Sequence, residues 1–198
     1  ATGPAVVSAT LHGPDTDANL EGVLDLENDG IRSVDTSLRL TSASLLPWIT
    51  ALNVDLGQSF MDLPPLGADL SASVIQEKDR WRVVELSGQV GDSGIEADLE
   101  GSAEAGISGS LRVDRLSLPW LAALVYGAEP LAEGAETFSQ TAFGRSRLPD
   151  LTYDVALKTD RMAAGPVTLD GVSTRIVGTG DELALRGLSA TIAGGRIA

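Results

Sequence analysis

The sequence contains no cysteine, a single histidine, and only eight aromatic residues (three Trp, two Tyr, three Phe) in 198. Without Cys there is no disulfide framework, no thiolate metal site and no thiol nucleophile. One histidine, His12, excludes the multi-His metal clusters. Basic residues are scarce as well. Lys and Arg number 14 against 28 Asp and Glu, a net charge of −14, which argues against a nucleic-acid phosphate backbone or an anionic membrane surface as partner. Long apolar runs are missing: the longest, Leu116 to Tyr126, falls short of the roughly 18 residues a membrane span needs. No charged-then-apolar signal segment opens the sequence. No glycine-rich loop leads into a helical run, so nucleotide binding has no support. What is present is an apolar fraction of 43%, enough for one sizeable domain or two small ones.

The apolar residues are arranged by alternation. Val34, Thr36, Leu38 and Leu40 share one side of a segment whose other side holds Asp35, Ser37 and Arg39. The same period of two sets Ile95, Ala97 and Leu99 against Glu96, Asp98 and Glu100, and Ile107, Gly109, Leu111 and Val113 against Ser108, Ser110, Arg112 and Asp114. It returns in Tyr153, Val155 and Leu157 against Thr152, Asp154 and Lys158. One apolar and one polar face over four to eight residues is the pattern of a half-buried antiparallel strand. Turn-forming clusters separate the runs: Asn28-Asp29-Gly30, Gly91-Asp92-Ser93-Gly94, residues 127–134, Gly165-Pro166, Gly178-Thr179-Gly180-Asp181 and Gly194-Gly195. Loops this short join neighbouring strands as a meander. Two apolar runs with an early Pro, Leu45 to Leu52 and Leu118 to Tyr126, each follow a Ser that can cap a helix and are expected to be short helices. Residues 63–66 form an irregular connection.

Two units recur along the chain. Ser37-Leu38-Arg39-Leu40 leads into Leu46-Pro47-Trp48, and Ser110-Leu111-Arg112-Val113 leads into Leu118-Pro119-Trp120. A partial third copy, Leu157 to Met162, matches Leu111 to Leu116 without a gap. The second unit is Trp81 to Val90, repeated as Leu183 to Ile192. Both copies slip phase at the same place: apolar positions 81 and 83 give way to 86, 88 and 90, and positions 183 and 185 to 188, 190 and 192. A β-bulge at Glu85 and at Gly187 would keep one face apolar through such a slip; a tight turn is the rival. Repetition of this kind suggests a sheet that grows by adding hairpins.

The motifs that suggest catalysis or metal binding are weak. Gly91-Asp92-Ser93-Gly94 has the text of a serine-nucleophile loop, but its only base would be His12, so a hairpin turn is the better reading. Asp25-Leu26-Glu27-Asn28-Asp29-Gly30 partly matches a calcium loop, yet its twelfth position is Thr36 and its Leu residues belong to a strand. Glu85, at the bulge, could point inward but has no partner carboxylate. The chain is therefore expected to be no enzyme and to need no cofactor or metal.

The strings Leu111 to Leu118, Leu157 to Met162, and Asp181 through Leu188-Ser189-Ala190 to Gly194-Gly195-Arg196-Ile197 resemble the AsmA superfamily, in particular its AsmA-like C-terminal region. The resemblance is strongest from Ala68 onward and does not include that family's membrane helix. It implies a single β-repeat region over residues 1–198, cut from a longer chain, with repeats over about 33–126 and 106–198. The implied fold is all-β: an extended, curved antiparallel meander with an apolar concave face and two short helical insertions. The implied function is a non-catalytic module in the periplasm of a Gram-negative bacterium, tethered by an inner-membrane anchor outside this chain. There it would bind or conduct phospholipid or another acyl-chain lipid in support of the outer membrane. Leu38, Leu40, Leu99, Leu111, Val113, Tyr153, Val155, Leu157, Leu188 and Ile192 are the candidate lipid-groove residues. An adhesin-like structural or interaction module, in which the same residues form a dry core, is the alternative.

Overall fold

The computed structural model describes residues 3–27, 30–45, 48, 66–126, 148–180 and 182–197. They form eleven strands hydrogen-bonded in strict chain order, β1 to β11, with each measured pair antiparallel. This is the antiparallel meander that alternation and short turns predict. The chain divides into two compact units, one of Ala1–Leu45 with Pro65–Leu111 and one of Leu46–Pro64 with Arg112–Ala198.

The first unit contains β1 (Gly3–Gly13), β2 (Thr16–Glu27), β3 (Gly30–Ser42), β4 (Ala68–Glu77), β5 (Arg80–Val90), β6 (Ser93–Ser102) and the start of β7 (Gly106–Ser117). Cross-strand partners lie on the same side of a sheet, so the register reads out each face. One row runs Ala9, Leu20, Leu38, Ala72. The next runs Leu11, Ala18, Leu40, Leu70, Gly88, Ile95. On the reverse side a row runs His12, Asp17, Thr41, Asp69, Gln89, Gly94. The unit is thus apolar on one side and polar, mainly acidic, on the other. Gly88 is needed where it stands: its φ is +146°, and a Cβ there would collide with the Asp69 carbonyl on β4.

The second unit contains the rest of β7, helix α1 (Leu118–Tyr126), β8 (Tyr153–Ala164), β9 (Val167–Gly178), β10 (Leu183–Ile192) and β11 (Gly195–Ile197). Helix α1 begins at the predicted Leu118, directly after Ser117, with Pro119 in its first turn where a missing N–H costs nothing. It lies against β8. The helix expected over Leu45 to Leu52 lies mostly outside the described residues, of which Trp48 is helical and half-buried. The repeat also predicts that Trp48 and Trp120 pack in equivalent places; the side chain of Trp120, the connection at 63–65 and the turn at 127–134 lie outside the described residues.

Both predicted bulges are present. Glu85 has φ +55° and Gly187 φ +61°. The pairing slips between Val83 and Leu86 on β5 and between Arg186 and Ser189 on β10. The two copies of the repeat therefore share one backbone irregularity, which excludes the tight-turn alternative. At the first copy the freed backbone N–H of Glu85 donates to Asp98 Oδ1 at 2.9 Å. The Glu85 side chain is exposed, not turned inward.

Candidate apolar binding face

The ten candidate residues divide between the two units, and their burial differs. In the first unit Leu40 is 9% exposed, while Leu38, Leu99 and Leu111 are half-buried. Its fully buried apolar residues besides Leu40 are small: Ala68, Ala72 and Ala97. In the second unit Tyr153, Val155 and Leu157 are buried, Leu157 to 1% exposure, whereas Val113, Leu188 and Ile192 are half-buried. Outside the candidate set, Met162, Leu169, Val172 and Ala190 are buried on the strands of this unit as well. Val125 of α1 is likewise only 5% exposed.

Met162 and Val172 escaped a strict period of two because the phase slips again beside them. On β8, Thr159 and Met162 are both buried while Asp160 and Arg161 between them are exposed; on β9 the same holds for Leu169 and Val172 across Asp170 and Gly171. Gly171 has φ +59°. The readable signal was the gapless match of Leu157 to Met162 with Leu111 to Leu116, where Leu116 repeats the slip. Thr159, buried in this cluster, is satisfied by donating to the Asp114 carbonyl at 3.1 Å or the Arg161 carbonyl at 2.9 Å.

Polar groups at the borders of the face are tied down. The Tyr153 hydroxyl donates to the Pro149 carbonyl at 3.0 Å, and burial, with the charge of Asp150 second, pushes its pKa above the ordinary phenol value. In the first unit the face ends in a hydroxyl pair, Thr16 and Ser42, 2.8 Å apart. No described buried side-chain polar atom lacks a partner.

The reverse face of the first unit carries a shallow polar depression of about 240 Å³ lined by Arg39, Asp69, Ser71, Ser87, Gly88 and Gln89. Its Asp69 carboxylate accepts from the neighbouring Thr41 hydroxyl, and its Ser71 and Ser87 hydroxyls bond each other. The second unit's reverse face carries the ion pairs Arg112 with Asp160, Arg161 with Asp170, and Arg175 with Asp154.

The weak motifs resolve as local structure. Gly91 and Asp92 are the β5–β6 turn, and Ser93 opens β6. Ser93 pairs with Val90 and so lies on the apolar side. His12 lies on the polar side of β1, its Nδ1 2.6 Å from Asp17 Oδ1. Five inter-strand spacings of about 4.8 Å along the sheet separate their strands, so the two side chains are not brought together. Of the calcium-like segment, Asp25 and Glu27 both face Arg32, at 3.7 and 3.6 Å; Asn28 and Asp29 lie outside the described residues. Among the described residues no group of three or more His, Asp or Glu could hold a metal ion, and no helix is long and apolar enough to cross a membrane.

Comparison of the chain with family models, with curated proteins and with solved structures gives no match.

Proposed function

We propose that this chain is a non-catalytic lipid-handling module of the periplasm, whose first unit receives the acyl chains of a phospholipid or similar lipid on its apolar face. The observation that carries this reading is the half-burial of Leu20, Leu38, Leu70, Leu86, Ile95 and Leu99. Every one of them lies on the side of the sheet that the register makes apolar. Covering apolar surface returns about 0.8 kcal/mol per buried CH₂. A lipid tail laid over these rows therefore gains what the fold itself leaves unclaimed. The lining is aliphatic, which suits a flexible chain rather than a flat ring. The acidic reverse face keeps the opposite side in water. The AsmA-like strings in the sequence support placing the module in a Gram-negative envelope, with its inner-membrane anchor outside this chain.

The buried cluster of Tyr153, Val155, Leu157, Met162 and Val172 favours a structural role for the second unit, as a closed support and not a lipid path. The test is mass spectrometry of lipids retained by the folded chain, alone and after incubation with phospholipid vesicles. Retained lipid that is lost in Leu38→Asp, with the melting temperature little changed, is the expected result. A chain that takes up no lipid under either condition would overturn the reading.

A further inference from the structure

In a chain where Asp and Glu outnumber Lys and Arg 28 to 14, the polar side of β8, β9 and β10 gathers cations. Arg175 of β9 stands directly opposite Arg186 of β10 and Ala156 of β8. The next position of β9 on that side, Ser173, stands between Ser189 and Lys158. Lys158, Arg175 and Arg186 are exposed, and Ser173 and Ser189 half-buried. Two strand spacings, about 10 Å, separate the strands of Lys158 and Arg186, a gap that two side chains of this length close from either side. Small residues lie beneath it. Arg175 Nε and Nη2 donate to the two Asp154 oxygens, which orients the guanidinium and leaves three of its five N–H donors unused. The side chains of Lys158, Arg186, Ser173 and Ser189 have no hydrogen-bond or ion-pair partner among the described residues. Asp154 offsets one of the three positive charges, so two remain.

The first unit's copy of this repeat lacks the feature. There Val84 and Ser87 of β5 stand where β10 has Arg186 and Ser189, with Ser73 and Ser71 of β4 opposite them. The same bulged strand pair therefore forms without either arginine, although like charges set directly opposite each other destabilise a sheet. The bulge itself shapes the group: three steps along β10 span two along β9, so Arg186 and Ser189 share a side. Where the first copy has Glu85 at the bulge, the second has Gly187, and no carboxylate stands there.

We propose that Lys158, Arg175, Arg186, Ser173 and Ser189 form a binding site for a phosphate group. A phosphate monoester brings three acceptor oxygens and a charge of about −2 at neutral pH. That matches the two uncompensated charges and the unused donors, and guanidinium forks pair with its oxygens bidentately. A carboxylate, with two oxygens and one charge, leaves most of these donors unfilled. The site lies on the polar side of the second unit and does not depend on whether the first unit's apolar side holds lipid. A soluble phosphate and a lipid headgroup share this chemistry.

Equilibrium dialysis of the full chain against labelled inorganic phosphate at low salt tests the site. One phosphate should bind per chain, and acetate in excess should not displace it. Arg186→Gln should weaken binding about tenfold or more, the loss expected when a hydrogen bond to a charged group is removed. Arg39→Gln, which takes the same charge from an exposed position of the first unit, should leave it unchanged. Flotation with phosphatidylcholine vesicles containing phosphatidic acid identifies the source. Capture that Arg186→Gln abolishes assigns a lipid headgroup; no capture beside intact phosphate binding assigns a soluble phosphate; either upholds the site. No bound phosphate, displacement by acetate, or equal weakening by Arg186→Gln and Arg39→Gln would each overturn the proposal.

Discussion

The two units are made from the same kind of strand and the same repeated strings, yet the second buries large apolar side chains on β8 and β9, whereas the first, Leu40 apart, buries only small ones. Leu111 of the first unit and Leu157 of the second hold matching positions in the repeat, but Leu157 is 1% exposed while Leu111 is half-buried. A short helix lies against β8 in the second unit, and its Val125 is buried with the strand residues. The lesson is that an apolar stripe does not state its own destination. Alternation says which side of a sheet avoids water; a neighbouring element decides whether that side becomes a core or stays a surface.

The largest expected effect breaks this contrast directly. Leu157→Asp places an unpaired charge in the closed cluster and should unfold the second unit, because an uncompensated buried carboxylate costs several kcal/mol. Leu38→Asp sits where the carboxylate still reaches water and should leave a folded chain. Truncation gives the graded version: Leu157→Ala should cost about 3 kcal/mol and Leu38→Ala about 1 kcal/mol, measured by urea denaturation. Equal losses at the two sites would erase the distinction between the units.

Backbone geometry sharpens it at a smaller scale. Gly88→Ala must relieve a collision with the Asp69 carbonyl and adopt φ near +146°, so it should destabilise the first unit by about 2 kcal/mol. The paired bulges give a reciprocal exchange. Glu85 holds a left-handed conformation that glycine adopts freely, and Gly187 holds the same conformation already. Glu85→Gly should therefore be neutral to stabilising and Gly187→Ala destabilising, each by about 1 kcal/mol. Melting temperatures of the two variants, opposite in sign, would check it; a stabilising Gly187→Ala would mean that the repeat does not share one bulge.

The smallest effect belongs to the reverse face of the second unit. Hydrogen bonding from Arg175, with its charge a lesser contribution, holds the Asp154 carboxyl below its ordinary pKa. A carboxyl whose folded pKa is depressed adds stability above its unfolded pKa, and that contribution is lost as pH falls through the lower folded value. The pair is exposed to water and salt, so the gain is slight. Asp154→Asn should lower the urea midpoint by a small amount at neutral pH and by nothing once the solution is acid enough to protonate the native carboxyl. A difference that persists in strong acid would assign the effect to packing.

Much of the architecture was legible because it is local. The strands over Val34–Leu40, Ile95–Glu100, Ile107–Asp114 and Tyr153–Lys158 follow from a period of two. The start of α1 follows from Ser117 and Pro119, and the bulges at Glu85 and Gly187 from a phase slip repeated in both copies. The sequence by itself determined which residues share a side of each strand and where that side must shift, since these depend on the pleat and on nearest neighbours along the chain. It did not determine that Met162, Leu169 and Val172 join Leu157 in a closed cluster, because strict alternation hides residues beyond a bulge. Nor did it separate the buried Val155 from the half-buried Leu38, two aliphatic residues with the same local pattern. Only the tertiary structure decided that, because burial is set by what packs across a face, and α1 meets β8 through contacts that no window of neighbouring residues contains.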